Sequence, residues 1–321
     1  MRTSVQLGHS LSPVTLSQTS SPLHLSVIIP VLNEADKISD VIQRVYERAS
    51  GAQSEVKVKT LALDRSLSLF EVIVVDGGSM DATCASARKQ ARGRAGQTLR
   101  VVQLPSEQRV CRANQLNWGA QLARGDVLLF LHADTTPPNA YPDIIARVLC
   151  LERCQDLRRD PGLQCIPAVG AFSLQFAERS WKLRLVAWGA NMRSRLLHMP
   201  YGDQGMFLRR DVFDALGGFP PDWPLLEDVS LVRRAHQRFG WPGAVSLAPE
   251  AAQTSARRYQ QMGVLRTVLL NQCILLGHAL GISVETLARW YRSSRSRSLC
   301  GRVSIPTQRW IRPKTAHLPS C

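Results

Sequence analysis

Four short stretches of this 321-residue sequence hold side chains that could do chemistry. In Asp76-Gly77-Gly78-Ser79-Met80-Asp81 a carboxylate ends an apolar run, and two glycines let the backbone turn sharply and approach a ligand. The same hexapeptide also suits a tight turn in which Asp81 caps the next helix and no ligand is needed. In His132-Ala133-Asp134 a second carboxylate follows an apolar run. A hard divalent cation takes oxygen ligands and keeps waters and phosphates, so one or two protein groups plus a diphosphate can complete its shell. The alternative is an aspartate that opens the turn before Pro137-Pro138. Arg109, Arg112 and Asn114 precede or open a helical stretch, where guanidinium groups suit phosphate oxygens or simply face water. Glu227-Asp228 opens another helix. Carboxylates are favoured there by the helix dipole, and a carboxylate so placed can also act as a general base.

The elements that must position these groups are legible as alternating apolar runs and helical periods. Leu25–Val31 reads as a buried strand, and residues 35–49 as a helix with apolar positions Ile38, Val41, Ile42 and Val45. Strands are predicted at 70–75, 100–104 and 127–131, and helices at 82–91, 113–123 and 141–150, with Gly125 stopping the third helix. Strands without internal polar residues that alternate with helices predict a mostly parallel α/β sheet covered on both faces. Ligands in such sheets sit beyond the carboxyl ends of the strands, which is where Asn33-Glu34, Asp76 and His132-Ala133-Asp134 fall. Residues 170–176 and 205–208 read as further strands, and 183–197, 211–216 and 227–239 as helices. Residues 51–69 and 152–167 read as surface insertions. Val264–Leu280 is apolar but contains Arg266, Asn271, Gln272 and His278. It is too short and too polar for a span, and reads as an amphipathic helix on the domain or on a membrane surface.

Nearly half the residues are apolar, enough for a sizeable core. The net charge is +15, but no acidic residue follows Glu285, and eight basic residues do. The basicity therefore belongs largely to the end of the chain. Residues 293–321 read as a basic disordered tail, with contact to anionic lipid or RNA as the alternative. Residues 1–24 lack a long apolar core and read as a disordered leader. Eight cysteines without a C-x-x-C pair argue against a disulfide framework and for a reducing, cytoplasmic compartment.

Taken in order, Pro-Val-Leu-Asn-Glu, Val-Val-Asp-Gly-Gly-Ser-x-Asp, Gly-Asp-x-Leu-Leu-Phe-Leu-His-Ala-Asp, Gly-Gly-Phe-Pro and Glu-Asp-Val resemble the family 2 glycosyltransferases. The resemblance covers about Leu25 to Arg292 and implies a GT-A fold, a nucleotide-binding α/β domain. The stretches 112–120, 187–195, 200–205 and 254–258 are similar to a narrower bacterial subgroup. Its members are labelled as transferases acting on carotenoid acids, such as a diaponeurosporenoate glycosyltransferase.

By this resemblance Pro30, Asn33, Glu34, Asp76 and Gly77 line a nucleoside pocket, and Arg112 with Asn114 approaches the nucleotide. Asp134 holds a divalent cation on the diphosphate. Asp228 is the base, Glu227 shapes its surroundings, and Asp203 and Gln204 lie near the transferred sugar or acceptor. The sequence departs from the family where many members have a first aspartate in the metal motif and this chain has His132. An imidazole ligand favours Mn2+ over Mg2+. The implied reaction is an inverting single displacement from a nucleoside-diphosphate sugar, by family habit UDP, to a lipidic or carotenoid-like acceptor. Such an enzyme is expected to lie peripherally on the inner face of the cell membrane. Three rivals were weighed. An oxidoreductase needs a G-x-G-x-x-G turn, which is absent after the first strand. A nucleic-acid-binding protein would explain the charge, but no such motif is present and no nucleic-acid partner is expected. A donor-binding but inactive relative conflicts with an intact Asp228.

Overall fold

A computed structural model of the chain describes residues 23–50, 67–90, 98–149 and 167–299. The remaining parts of the leader, both insertions and the tail lie outside the described residues. Strand β1 (Leu23–Val31) is followed by α1 (Ala35–Ser50), β2 (Leu67–Asp76), α2 (Thr83–Lys89), β3 (Thr98–Gln103), α3 (Arg112–Leu122) and β4 (Val127–Phe130). These form the predicted alternation. β1 pairs in parallel with β2 and with β4, and β2 with β3. The register places Val31 beside Asp76 and Asp76 beside Gln103, so the carboxyl ends of the strands share one edge.

The apolar runs are continuous because both faces are covered. Side chains alternate with period two along β1. Val27 and Ile29 pack with Ile38, Ile42 and Tyr46 of α1, while Ile28 on the opposite face packs with Leu116 of α3 and Leu231 of the later helix 227–239. Gly119 of α3 lets that helix approach closely, since a Cβ there would lie 2.4 Å from Ile28 Cγ2.

The second half extends the same sheet. Its elements are β5 (Thr135–Thr136), α4 (Tyr141–Val148), β6 (Val169–Phe176), α5 (Trp181–Leu196), β7 (Met206–Arg209), α6 (Arg210–Ala215), α7 (Glu227–Phe239) and β8 (Val245–Thr254). The strand order is β3-β2-β1-β4-β7-β6-β8-β5. β7 is antiparallel to both β4 and β6, and β6 is parallel to β8. The start of β7 therefore meets the end of β4, with Met206 beside Phe130, and the end of β8 reaches the same edge. Helices α8 (Arg257–Met262), α9 (Val264–Ala279) and α10 (Val284–Leu299) close the chain. Ile274, Leu287 and Tyr291 pack against Leu226 and Val229 at the start of α7.

The structure corrects the sequence reading in five places. β1 starts at Leu23, within the segment read as a leader, and β2 starts at Leu67, within the segment read as an insertion. α10 continues to Leu299, so the first residues of the supposed disordered tail are helical. β8 was not anticipated. Gly125 does not cap α3, whose C-cap is Ala123; it approaches Ser26 instead, with its N–H donating to Ser26 Oγ at 2.9 Å.

Candidate active site

At the β2 end, Asp76 is nearly fully buried and accepts from the N–H groups of Gly78 and Ser79 at 3.1 and 3.0 Å. Asn33, in a left-handed conformation, donates its N–H to Ser79 Oγ, and its Oδ1 accepts from the Met80 N–H, both at 2.9 Å. Pro30 lies in β1 beside Val75. The Gly77 N–H donates to the Val31 carbonyl at 3.0 Å. Gln115 of α3 secures this corner: its amide donates to the carbonyls of Val31 and Val75, both at 2.8 Å. Glu34 forms a two-point ion pair with Arg257, at 2.6 and 3.2 Å, which raises the arginine's pKa. The predicted nucleoside residues are thus gathered at one corner, although much of their polarity is engaged in holding its shape.

The second cluster lies where β4, β7 and α7 meet. Asp228, at the start of α7, accepts from the Gly202 N–H at 2.6 Å and from its own helix at Val229, 2.7 Å. Gly202 is wedged against two side chains. A Cβ there would lie 2.9 Å from His132 Nε2 and 3.3 Å from Asp228 Oδ2. Arg112 forms a 3.1 Å ion pair with the buried Glu227. Burial works against the Arg112 charge, but Glu227 and then Asp228 outweigh it and raise its pKa. Burial pushes the Glu227 carboxyl up; Arg112 opposes this and Asp228 adds to it. Burial, then the charges of Arg112 and Arg258, push the His132 imidazole well below its ordinary value, so it is neutral at pH 7. Burial also raises the Asp203 carboxyl, with Arg193 opposing and Asp228 reinforcing the rise.

Two of the predicted site residues are engaged within the protein. Gln204 is fully buried, and both ends of its amide are engaged within the protein. Its oxygen accepts from the Tyr201 N–H and Ser194 Oγ, and its nitrogen donates to the Phe172 carbonyl. It shapes the Tyr201–Gly205 turn. Asn114 exchanges two hydrogen bonds with Asp222, at 2.9 and 3.0 Å, and so fastens the loop before α7. Arg109 supports the same loop through the Asp222 carbonyl. Gly202, Gln115 and Arg258 were missed as individuals. All three lie inside stretches that carried the subgroup resemblance, but nothing in residue type alone revealed their partners.

For a cation, Asp134 is suitably placed at the β4–β5 turn. Its carboxylate takes no hydrogen bond from a described residue, while its carbonyl accepts from the Ser255 N–H at 3.2 Å. Among the described residues no group of three His, Cys, Asp or Glu side chains can hold a metal ion. One carboxylate with a neutral imidazole nearby fits an ion whose remaining ligands come from a diphosphate and water.

The family model for glycosyl transferase family 2 matches residues 26–217, more than half of the chain, including Asp76, His132 and Asp134. The dodecaprenyl-phosphate galacturonate synthase of Rhizobium johnstonii is 30% identical over 131 residues, which are 41% of this chain and 33% of that protein. The undecaprenyl-phosphate 4-deoxy-4-formamido-L-arabinose transferase of Pseudomonas fluorescens is 24% identical over 202 residues, 61% of this chain and 50% of that protein. The chain thus spans a third to a half of the length of these relatives. Glucosyl-3-phosphoglycerate synthase from Mycobacterium tuberculosis, solved with Mn2+, uridine diphosphate and glucosyl-3-phosphoglycerate, superimposes with a TM-score of 0.48. It is 18% identical, over 81% of each chain. On the match to more than half of its residues, this chain belongs to glycosyl transferase family 2.

Proposed function

We propose that the chain transfers a sugar from a nucleoside-diphosphate sugar, UDP being the expected nucleotide, to the hydroxyl of a lipidic acceptor with inversion. The observation that carries this reading is the Asp228 carboxylate. It is fixed by the Gly202 N–H and the α7 terminus, next to a neutral His132, at the edge where the strand ends converge. Asp228 takes the proton of the acceptor hydroxyl as its oxygen attacks the anomeric carbon. The bond from that carbon to the diphosphate oxygen breaks, and the nucleoside diphosphate departs on the opposite face. The Asp76 corner holds the nucleoside. Asp134, with His132 as the candidate second ligand, would hold a Mn2+ or Mg2+ ion that supplies positive charge to the leaving diphosphate. Arg112 pairs with Glu227 beside the base and opposes the rise that burial imposes on its carboxyl.

The test is Asp228→Asn. Turnover on a hydroxyl acceptor is expected to fall about 10²–10⁴-fold while donor affinity is kept. Retained turnover would remove Asp228 as base. A second reading comes from the relatives, whose names carry polyprenyl phosphates. A phosphate acceptor is already ionised and needs no base. Turnover by Asp228→Asn that survives only with a polyprenyl phosphate therefore selects that acceptor, over both a hydroxyl and the carotenoid acid of the sequence resemblance.

A further inference from the structure

Helix α5 is apolar on two opposite faces. Leu183 and Ala187 are buried against Leu174, Phe176 and Ala256. On the other side, Trp181, Leu185, Trp188 and Leu196 recur at helical spacing and are 70, 58, 60 and 63% exposed. α9 touches α5 and repeats the pattern, with Leu265 and Leu269 in its first half and Leu276 and Leu280 near its end, each more than half exposed. Scattered exposed apolar residues are ordinary, but two contiguous stripes with two tryptophans are not, and such patches mark interaction surfaces.

The two helices themselves carry charge of one sign. Neither α5 nor α9 contains an aspartate or glutamate. Lys182, Arg184 and Arg195 are exposed on α5, and none pairs with a carboxylate among the described residues. Two grooves of about 520 and 360 Å³ run along the helix and share Arg184 and Ala187. One is walled by Trp181 and by Glu178, whose carboxylate accepts from the Ala256 N–H, the other by Trp188 and Arg195. Tryptophan beside lysine and arginine suits the boundary between headgroups and acyl chains, the indole at the interface and the cations on anionic phosphates. A second copy of this chain is a poorer occupant, because a symmetric pairing would set these cations against themselves with no carboxylate on either helix.

We propose that the outer face of α5, continued by α9, docks on an anionic lipid bilayer. The proposal deepens the lipid-acceptor reading and rests on it for its purpose, though not for its geometry. The same helix also holds the catalytic turn. Ser194 Oγ and Arg193 Nη2 bond Gln204 Oε1 at 2.8 and 3.3 Å, and the turn they support carries the Gly202 N–H to Asp228. Docking through α5 therefore sets the site beside the surface from which a lipid acceptor arrives.

The experiment is co-sedimentation of the full chain with phosphatidylcholine vesicles, with and without phosphatidylglycerol. Two variants are compared with the parent: Trp181→Ser with Trp188→Ser, and Lys182→Glu with Arg184→Glu and Arg195→Glu. All five positions are exposed, so folding is expected to survive. Binding is expected only with phosphatidylglycerol. One basic residue near an anionic surface is worth about fivefold, so the charge variant, with three such residues reversed, is expected to bind at least about 100-fold more weakly. Loss of most binding in the tryptophan variant is also expected. Equal binding by parent and both variants overturns the proposal. So does a concentration-dependent dimer, lost in the tryptophan variant, in a protein that ignores vesicles. Donor-induced thermal shifts in solution separate the two readings. A shift without vesicle binding leaves the enzyme reading and removes the docking face; vesicle binding without a shift does the reverse.

Discussion

Gly202 sits between the two groups whose separation the chemistry needs. Its N–H holds Asp228 at 2.6 Å, and its missing side chain leaves room for His132 Nε2. Gly202→Ala would place a methyl group 2.9 Å from that nitrogen and 3.3 Å from the Asp228 carboxylate. One of the two must shift by a few tenths of an ångström or more. A displacement approaching 1 Å at a reacting group costs about 10²-fold in rate. The expected outcome is a kcat lower by roughly that factor, with the donor KM and melting temperature close to the parent's. A loss confined to KM would mean that Gly202 belongs to the donor pocket. At this scale the sequence located the motif carboxylates and left the partners of the motif amides unread. Asp76, Asp134, Asp203 and Asp228 all converge on one edge of the sheet. Asn33, Asn114 and Gln204 lie in the same motifs, yet bond backbone and side chains of their own protein. A polar side chain in a motif can serve the ligand or the turn that receives it. Residue type does not separate the two, because an amide offers the same donor and acceptor to either.

Among the elements, α3 ties the sheet edge together through one side chain. Gln115 donates to carbonyls at the ends of β1 and β2, fixing the corner from which Asp76 and Gly77 turn. Gln115→Met keeps much of the volume and removes both donors. A buried acceptor left without its partner costs about 1–3 kcal/mol. Chemical denaturation is expected to show a loss in that range, and titration with a nucleotide sugar a weaker donor. Unchanged stability would show that water or a neighbouring donor replaces the amide. The elements legible in the sequence were those with one dominant signal. β1, β2 and β4 are unbroken apolar runs because helices cover both faces, and α7 starts at its two acidic residues and was predicted over its full length. β8 was missed for a physical reason. VSLAPEAAQT contains a proline and a glutamate, and its pairing with β6 shifts register after Phe172, so its buried positions follow no steady alternation. The last turns of α10 were read as tail because they are rich in serine and arginine, which in sequence alone look solvated.

For the whole molecule, β4 is the pivot. It runs parallel to β1 on one side and antiparallel to β7 on the other, so one continuous sheet joins the Asp76 corner to the Asp228 cluster. Asp76 and Asp134 come from the first part of the chain, Asp203 and Asp228 from the second. A donor held only by the first part should still stabilise the whole, because the two parts share the sheet and its cores. A ligand at 100 times its Kd adds about 2.7 kcal/mol to the native state. For a chain of this size each kcal/mol moves the melting temperature by about 2–4 °C. Uridine diphosphate with Mn2+ is therefore expected to raise a single melting transition by several degrees. Asp228→Asn should keep the full shift, Asp76→Ala should lose most of it, and Asp134→Ala should lose the part that depends on Mn2+. Two separate transitions, only one of them moved by the nucleotide, would show that the halves fold independently. A shift indifferent to Mn2+ in the parent would remove the ion from donor binding and leave the Asp134 carboxylate without its assigned partner.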